Sequence, residues 1–312
     1  MNILFTNIGR RTYLLENALK LKNEIKKIKI YVSDCNINAP GMNYHKDIFS
    51  LINYSVSKGQ KKYVSQLLNF VKKYRINVIF PVSDHDINIL SENKNFFLKE
   101  NCKIIVPEKN ITKICFDKVK MYNFCILNNI KTPKIYKNIN KISKKIIAKH
   151  QKGSGSVGII KYNKDIVYKK INNKKYIFQE FLKGEEYGVD ILNDLNGNFL
   201  SCCIKKKLIM RSGETDQAIV KKNKKLEAIS KDISHKLKHI GNLDCDFIKY
   251  NKDYYLIDLN PRFGGGYPFS YYAGHDYLKT LIQIILKNKY TPLKNKFEIS
   301  LSKGISLHKR DN

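Results

Sequence analysis

The sequence predicts an α/β fold in two textures: a mostly parallel, doubly wound sheet over the first hundred residues, then an α+β remainder. Three observations carry this. Strand-like and helix-like segments alternate from residue 2 to about 107, the order that winds a parallel sheet. From about residue 111 the alternation gives way to one long helical pattern followed by successive β-rich stretches. A chain of 312 residues also exceeds a single core, so two or three domains are expected.

In order, "NILFTNIG" reads as a strand entering a glycine turn, and "RTYLLENALKLKNEI" has helical spacing. "IKIYVSD" is a second strand, "YVSQLLNFVKKYRI" a helix, and "VIFPVSD" a third strand. "ILSENKNFFLKEN" and "KIIVP" close the first unit as helix and strand. Asp34 and Asp84 stand where strands end, which is where such sheets bind ligands, and also where helices are capped. Both readings stay open. "KICFDKVKMYNFCILNNIKTP" reads as one helix stopped at Thr132-Pro133. Strand-like segments follow over 144–162, 165–171, 175–182 and 186–208, then a helix over 225–240, two strands around Asn251-Lys252-Asp253, and a last helix over 277–289. The expected division is 1–110, 111–178 with a small β-rich flap at about 144–178, and 179–312.

Composition narrows the classes. Apolar residues make up 43% and aromatics 11%, too many for a disordered chain. No apolar run reaches the roughly 20 residues needed to span a bilayer, and "MNILFTNIGRR" lacks the pattern of a signal peptide, so a cytoplasmic protein is expected. The seven cysteines are odd in number, scattered and without a Cys-x-x-Cys pair, so they read as reduced core thiols. The formal charge of +31 is spread over lysines mixed with Asn and Ile, with no clustered stripe or nucleic-acid module. It reads as compositional bias on a solvated surface that can still attract anionic substrates. His235 and His239, spaced as on one helix face, lack the glutamate of a zinc-protease site, and His275 reads as a loop contact.

"KGSGSVG" places Gly153, Gly155 and Gly158 in a G-x-G-x-x-G spacing. A dinucleotide site needs a helix after the third glycine, and the β-branched "IIKYNKDIVYKKI" that follows excludes it. A glycine hairpin between strands can instead fold its amides over phosphates. Ser154 and Ser156 suit that use, and Lys149 at the end of "IIAK" is placed to meet an anion beneath the loop.

The most informative stretch is "LDCDFIKYNKDYYLIDLNPRFGGG". Read as a hairpin with a three-residue loop, it pairs Tyr250 with Tyr254, Ile248 with Leu256, and Asp246 with Asp258. Alternation then puts Asp258 and Asn260 on one face. Like charges opposite one another destabilise a sheet unless a cation lies between them. Two carboxylates and an amide oxygen suit Mg²⁺. Pro261 stops the strand, and Arg262 projects beyond, where its fork could hold a transferring phosphoryl group. Gly264, Gly265 and Gly266 are expected to leave room for a ligand.

These segments in this order resemble an ATP-grasp enzyme, and more narrowly the carbamoyl-phosphate-synthase-like carboxylate–amine ligases. The likeness runs from "MNILFTNIGRR" through "FPVSDHD", "IIAKHQKGSGSVG", "QEFLKGEEYGVDIL" and "DLNPRFGGG" to "AGHDY". It implies a Rossmann-like pre-grasp domain followed by two α+β lobes gripping ATP. By the same resemblance Lys118 and Lys149 contact the ATP phosphates, with the Gly153–Gly158 loop closing over them. Glu180, Phe181 and Leu182 form the adenine hinge, and Glu186 meets the ribose hydroxyls. Asp246, Asp258 and Asn260 hold one or two Mg²⁺, with Mn²⁺ as a substitute, and Arg262 stabilises the transferred phosphate. His150 stands where the family has proline, and Asp258 where glutamate is commoner, one methylene longer.

The implied reaction joins a small-molecule carboxylate to an amine through an acyl phosphate, releasing ADP and phosphate. Amino acids or a sugar-acid derivative are the substrate classes the resemblance allows, as it allows a homodimer. Arg211, in "IMRSGET", could hold a substrate carboxylate or form an unrelated pair. Two other functions fit parts of the pattern: phosphoryl transfer without ligation, and a nucleotide- or nucleic-acid-binding protein without catalysis. The lysines, the acid set and Arg262 together argue against the second.

Overall fold

The computed structural model describes residues 1–25, 27–136, 145–153, 160–162, 175–287, 289–293 and 295–304. Strands β1 (Asn2–Thr6), β2 (Lys29–Asp34), β3 (Ile48–Ile52), β4 (Val78–Pro81) and β5 (Lys103–Ile104) form an all-parallel sheet in the order β3-β2-β1-β4-β5. Helices α1 (Thr12–Glu24), α2 (Gln60–Tyr74) and α3 (Asp84–Lys99) cross over between them. One face of the sheet buries Ile3, Phe5 and Phe80 against Leu14, Leu15 and Ala18 of α1, and the other packs on α2 and α3. The doubly wound expectation holds. Its missing member was β3, a short edge strand whose "IFSLI" lacks a clean alternation, with the burial pattern buried-exposed-exposed-buried-exposed.

The expected single helix over 113–133 is two, α4 (Lys109–Phe116) and α5 (Lys118–Leu127). The break is at Asp117, which leaves helical geometry (φ −112°, ψ 112°) and accepts the amides of Val119 and Lys120 as an N-cap. Continuous helical spacing hid this cap.

A four-stranded antiparallel sheet, in the order β6-β9-β7-β8, contains β6 (Ile135–Tyr136), β7 (Ile146–His150), β8 (Ile160–Tyr162) and β9 (Tyr176–Glu180). The larger antiparallel sheet comprises β10 (Glu185–Asn193), β11 (Phe199–Arg211), β12 (Glu214–Val220), β13 (Gly241–Tyr250), β14 (Asp253–Asn260) and β15 (Ile299–Ser302), in the order β14-β13-β10-β11-β12-β15. One face of it buries Val189, Ile191, Leu243, Phe247 and Leu256 against α4, α5 and α6 (Lys224–Leu237). Two short helices, α7 (Tyr267–Tyr272) and α8 (Tyr277–Ile285), follow β14. Tyr267, Tyr277, Leu278 and Leu281 join the core of the parallel sheet, so the segment after the acidic hairpin packs against the first unit. That packing brings the ends of β1 and β4 to face the end of β14.

Among the described residues no helix is long and apolar enough to cross a membrane. All seven cysteines are free, and only Cys35 is exposed. α6 ends at Leu237, so His235 and His239 do not share a helix face, and buried His239 is held neutral, its imidazole lowered to about 3 by burial. His275 is buried and meets the Ser201 hydroxyl at 3.1 Å.

Candidate active site

The β13–β14 hairpin brings Asp246 opposite Asp258, as the sequence predicts, by a different route. The turn has two residues, with Asn251 left-handed at φ +54°, so Tyr250 pairs with Asp253 and Phe247 with Leu256. The expected Tyr250–Tyr254 and Ile248–Leu256 pairs do not form. A bulge at Ile257 then shifts the register by one and restores Asp246 to Asp258, followed by Asp244 to Asn260. Four oxygen-bearing side chains therefore share one face at the strand ends. Burial, then the neighbouring Asp246 and Asp84 charges, raise the Asp258 carboxyl, while Lys118 and Lys149 oppose them. The Asp244 carboxyl is pushed up to about 7 by burial, then by Asp246 and Asp190, against Arg262 and Lys205. Lys207 Nζ donates to Asp246 Oδ1 at 2.5 Å and supplies a cation to the group.

Arg262 is 8% exposed and held by two acids. Its Nε and one terminal nitrogen donate to the two oxygens of Asp84, each at 2.9 Å, and the other terminal nitrogen reaches Asp244 at 3.3 Å. Asp84 begins α3, but the cap is Ser83, whose hydroxyl accepts the His85 amide at 3.3 Å. Asp84 is therefore not the cap; it grips an arginine 178 residues away. Asp34 likewise caps no helix: it accepts the amides of Gly9 and Asn36, both at 2.9 Å, and fixes the first glycine turn. The glycines after Arg262 are explained by the protein's own side chains. A Cβ on Gly264 would lie 2.1 Å from Asp244 Oδ2, and one on Gly265 would lie 2.5 Å from the Glu214 carboxyl carbon. Those acids approach the backbone of Gly264 and Gly265 closely, while Gly265 and Gly266 still border open space.

The lysines approach from the other side. Lys118 opens α5, its amide donates to the Gln151 carbonyl at 2.9 Å, and its ammonium to the Gly153 carbonyl at 2.6 Å. Gln151 in turn donates to both oxygens of Asp117, at 3.1 and 3.0 Å, so the start of the glycine loop is tied to the start of α5. Gly153 needs its glycine for backbone reasons, at φ +116° in open space. Ser154, Gly155, Ser156 and Gly158 lie outside the described residues. Lys149 is buried on β7; burial lowers its ammonium, and the charges of Asp258, Asp246 and Glu186 oppose the shift. Glu186, exposed on β10, also acts on Lys207. Glu180 ends β9 with its amide on the Lys134 carbonyl at 2.9 Å; Phe181 and buried Leu182 follow.

Asp246, Asp258, Asn260, Arg262, Asp84 and Lys207 line one cavity of about 330 Å³. A larger chamber of about 620 Å³ adjoins it, and Arg10, Ser212, Glu214 and Thr215 line both. Arg211 lines only the larger one and is paired with Asp216 at 2.8 Å, apart from the acid cluster. The sequence reading missed Asp244, Lys207, Arg10 and Arg11. Asp244 was findable, since it alternates with Asp246 as Asn260 does with Asp258.

The chain carries an ATP-grasp domain. An ATP-grasp domain matches residues 115–266, and a PylC-like N-terminal domain matches residues 3–105. No curated protein sequence matches the chain. Solved structures share its fold. Biotin carboxylase from Campylobacter jejuni, in a β-γ-ATP complex, aligns with a TM-score of 0.70 at 16% identity over 94% of this chain and 73% of its own. L-amino acid ligase from Bacillus licheniformis gives 0.69 at 14% identity over 94% and 75%. The biotin carboxylase domain of 2-oxoglutarate carboxylase from Hydrogenobacter thermophilus, in complex with MgADP and bicarbonate, gives 0.70 at 13% identity over 95% and 72%.

Proposed function

We propose that this protein is a cytoplasmic ATP-dependent ligase that joins a carboxylate to an amine through an acyl phosphate. The observation that carries the reading is one polar cavity lined by Asp246, Asp258, Asn260 and Arg262, with Lys118 and Lys149 near enough for their charges to act on Asp258. ATP enters as a substrate. Glu180, Phe181 and Leu182 are assigned to the adenine, Glu186 to the ribose, and Lys118, Lys149 and the glycine loop to the phosphates.

A divalent cation fits the hard-oxygen donors present. Two partly buried carboxylates face each other, desolvation and then the Asp246 charge raise Asp258, and Lys207 supplies positive charge to Asp246. Among the described residues no three His, Cys, Asp or Glu side chains gather as a metal group, so the set is two acids and an amide. Asp246, Asp258 and Asn260 would hold Mg²⁺, which when bound screens phosphate charge.

In the reaction, a carboxylate oxygen of the substrate bonds to the γ-phosphorus as the bond to the β,γ-bridging oxygen breaks, and ADP leaves. The amine nitrogen then attacks the acyl carbon, the carbon–oxygen bond to phosphate breaks, and the nitrogen loses a proton. Arg262, held in place by Asp84 and Asp244, presents a remaining N–H and its positive charge to the transferred phosphoryl group, so positioning and charge stabilisation supply most of the acceleration. Arg211 is assigned to the substrate side of the larger chamber. An amino acid or a sugar acid fits the proposal as the carboxylate. The test is ADP formation with carboxylate pools in the presence of hydroxylamine. A hydroxamate supports the ligase; ADP with no trapped acyl group indicates phosphoryl transfer alone and overturns it.

A further inference from the structure

We propose that the 620 Å³ chamber binds the carboxylate substrate at an anion site that Glu214 occupies in the free protein, and that this substrate is an acid with a ring-sized apolar body. The inference rests on the ligase reading for the term substrate, but the site stands on its own geometry.

Three cations from two distant segments surround Glu214. Arg10 and Arg11, on the turn after β1, place nitrogens 3.4 and 3.9 Å from its Oε1, and Lys303, just past β15, lies 3.7 Å from its Oε2. Charge-assisted N–H···O bonds close to about 2.7–2.9 Å when well made. Glu214 is therefore drawn by charge and not seated. Three cations thus lie within 4 Å of this one acid, and Asp216 beside it pairs with Arg211 and also acts on Lys303. The Arg11 Nη1 is buried with no hydrogen-bond partner, as a donor kept for an anion would be. The arrangement is built in: the Gly9 amide on Asp34 fixes the turn, Arg11 Nε is anchored to the Val82 carbonyl at 2.7 Å, and Lys303 Nζ to the Gly265 carbonyl at 2.5 Å.

Position gives the role. Arg10 and Glu214 line both cavities, so a carboxylate taking Glu214's place lies on the boundary with the phosphate end. Behind it the chamber is walled by Tyr13, Phe269, Tyr272 and two prolines, Pro40 and Pro268. These surfaces suit a flat or ring-shaped apolar body. Glu214 then acts as an internal competitor that leaves when the substrate anion arrives.

Calorimetric titration without ATP tests this with phenylacetate, 3-phenylpropionate and N-acetyl-phenylalanine, each against its carboxamide. The acids are expected to bind at least tenfold tighter than their amides. Glu214→Gln, nearly isosteric, is expected to tighten acid binding several-fold, and Arg10→Met to weaken it at least tenfold with an unchanged melting temperature. A purely structural Glu214 predicts the opposite sign. Equal binding of acids and amides, weaker acid binding by Glu214→Gln, or no binding of any acid would overturn the proposal. Acid binding with no ATP turnover would count against the ligase reading alone, and ADP release without charge discrimination against the anion site alone.

Discussion

Replacing Asp84 with asparagine removes the charge that holds Arg262 on two of its three contacts. The side chains are nearly out of solvent, at 7% exposure for Arg262 and 16% for Asp84, so screening is weak. Losing one partner of such a pair typically costs about 3–5 kcal/mol, because the other charge stays buried. Asp244 remains 3.3 Å away and asparagine still accepts one hydrogen bond, so the lower figure, about 3 kcal/mol, applies. At about 2 °C per kcal/mol for a chain of this size, the melting temperature should fall by roughly 6 °C. Far-UV circular dichroism during heating measures it, and a double-mutant cycle with Arg262→Met isolates the pair. The expected coupling is about 2 kcal/mol. A drop under about 2 °C, or strict additivity with Arg262→Met, would refute the clamp and the view that the first unit's α3 fixes the arginine.

Arg262→Ala should abolish ADP formation while leaving ATP binding weakened but measurable by titration; near-normal turnover removes its assigned role. Asp86 tests the pH dependence. Its carboxyl is fully buried and raised from 3.8 to about 6 by burial, against hydrogen bonds from Thr6, Tyr63 and Asn7. The folded state therefore holds this proton more tightly than the unfolded one. The contribution is complete below about pH 4 and is lost as pH rises through 6. Relative to wild type, Asp86→Asn should gain on the order of 3 kcal/mol between pH 4 and pH 7, read from denaturation midpoints at each pH. A pH-independent difference between the two proteins would contradict this.

Local rules made much of this molecule legible. The alternating segments of the first hundred residues made the parallel sheet legible, and the acid alternation made legible the facing of Asp246 and Asp258 with Asn260 alongside. The hairpin shows the limit of that reasoning: a shorter turn and a bulge at Ile257 cancel, so the right facing pair emerged from the wrong register. Lys207 was hidden because one lysine in a "KKK" run looks like any solvated lysine until the strand it lies on is paired. The Arg262–Asp84 clamp and the contacts of Arg10 and Arg11 with Glu214 join residues over a hundred positions apart. Tertiary packing makes such contacts, and periodicity carries no trace of them. The glycines at 264 and 265 were rightly read as close-approach positions, but the approaching groups are Asp244 and Glu214.

The central claim is tested most directly by measuring ADP release from ATP and Mg²⁺ across a matrix of carboxylate and amine pairs, with amide product followed by mass spectrometry. The account predicts ADP, phosphate and amide in equal amounts for at least one pair, and none of the three with Arg262→Ala. ADP and a phosphorylated substrate without amide, or no ADP with any pair, would contradict it.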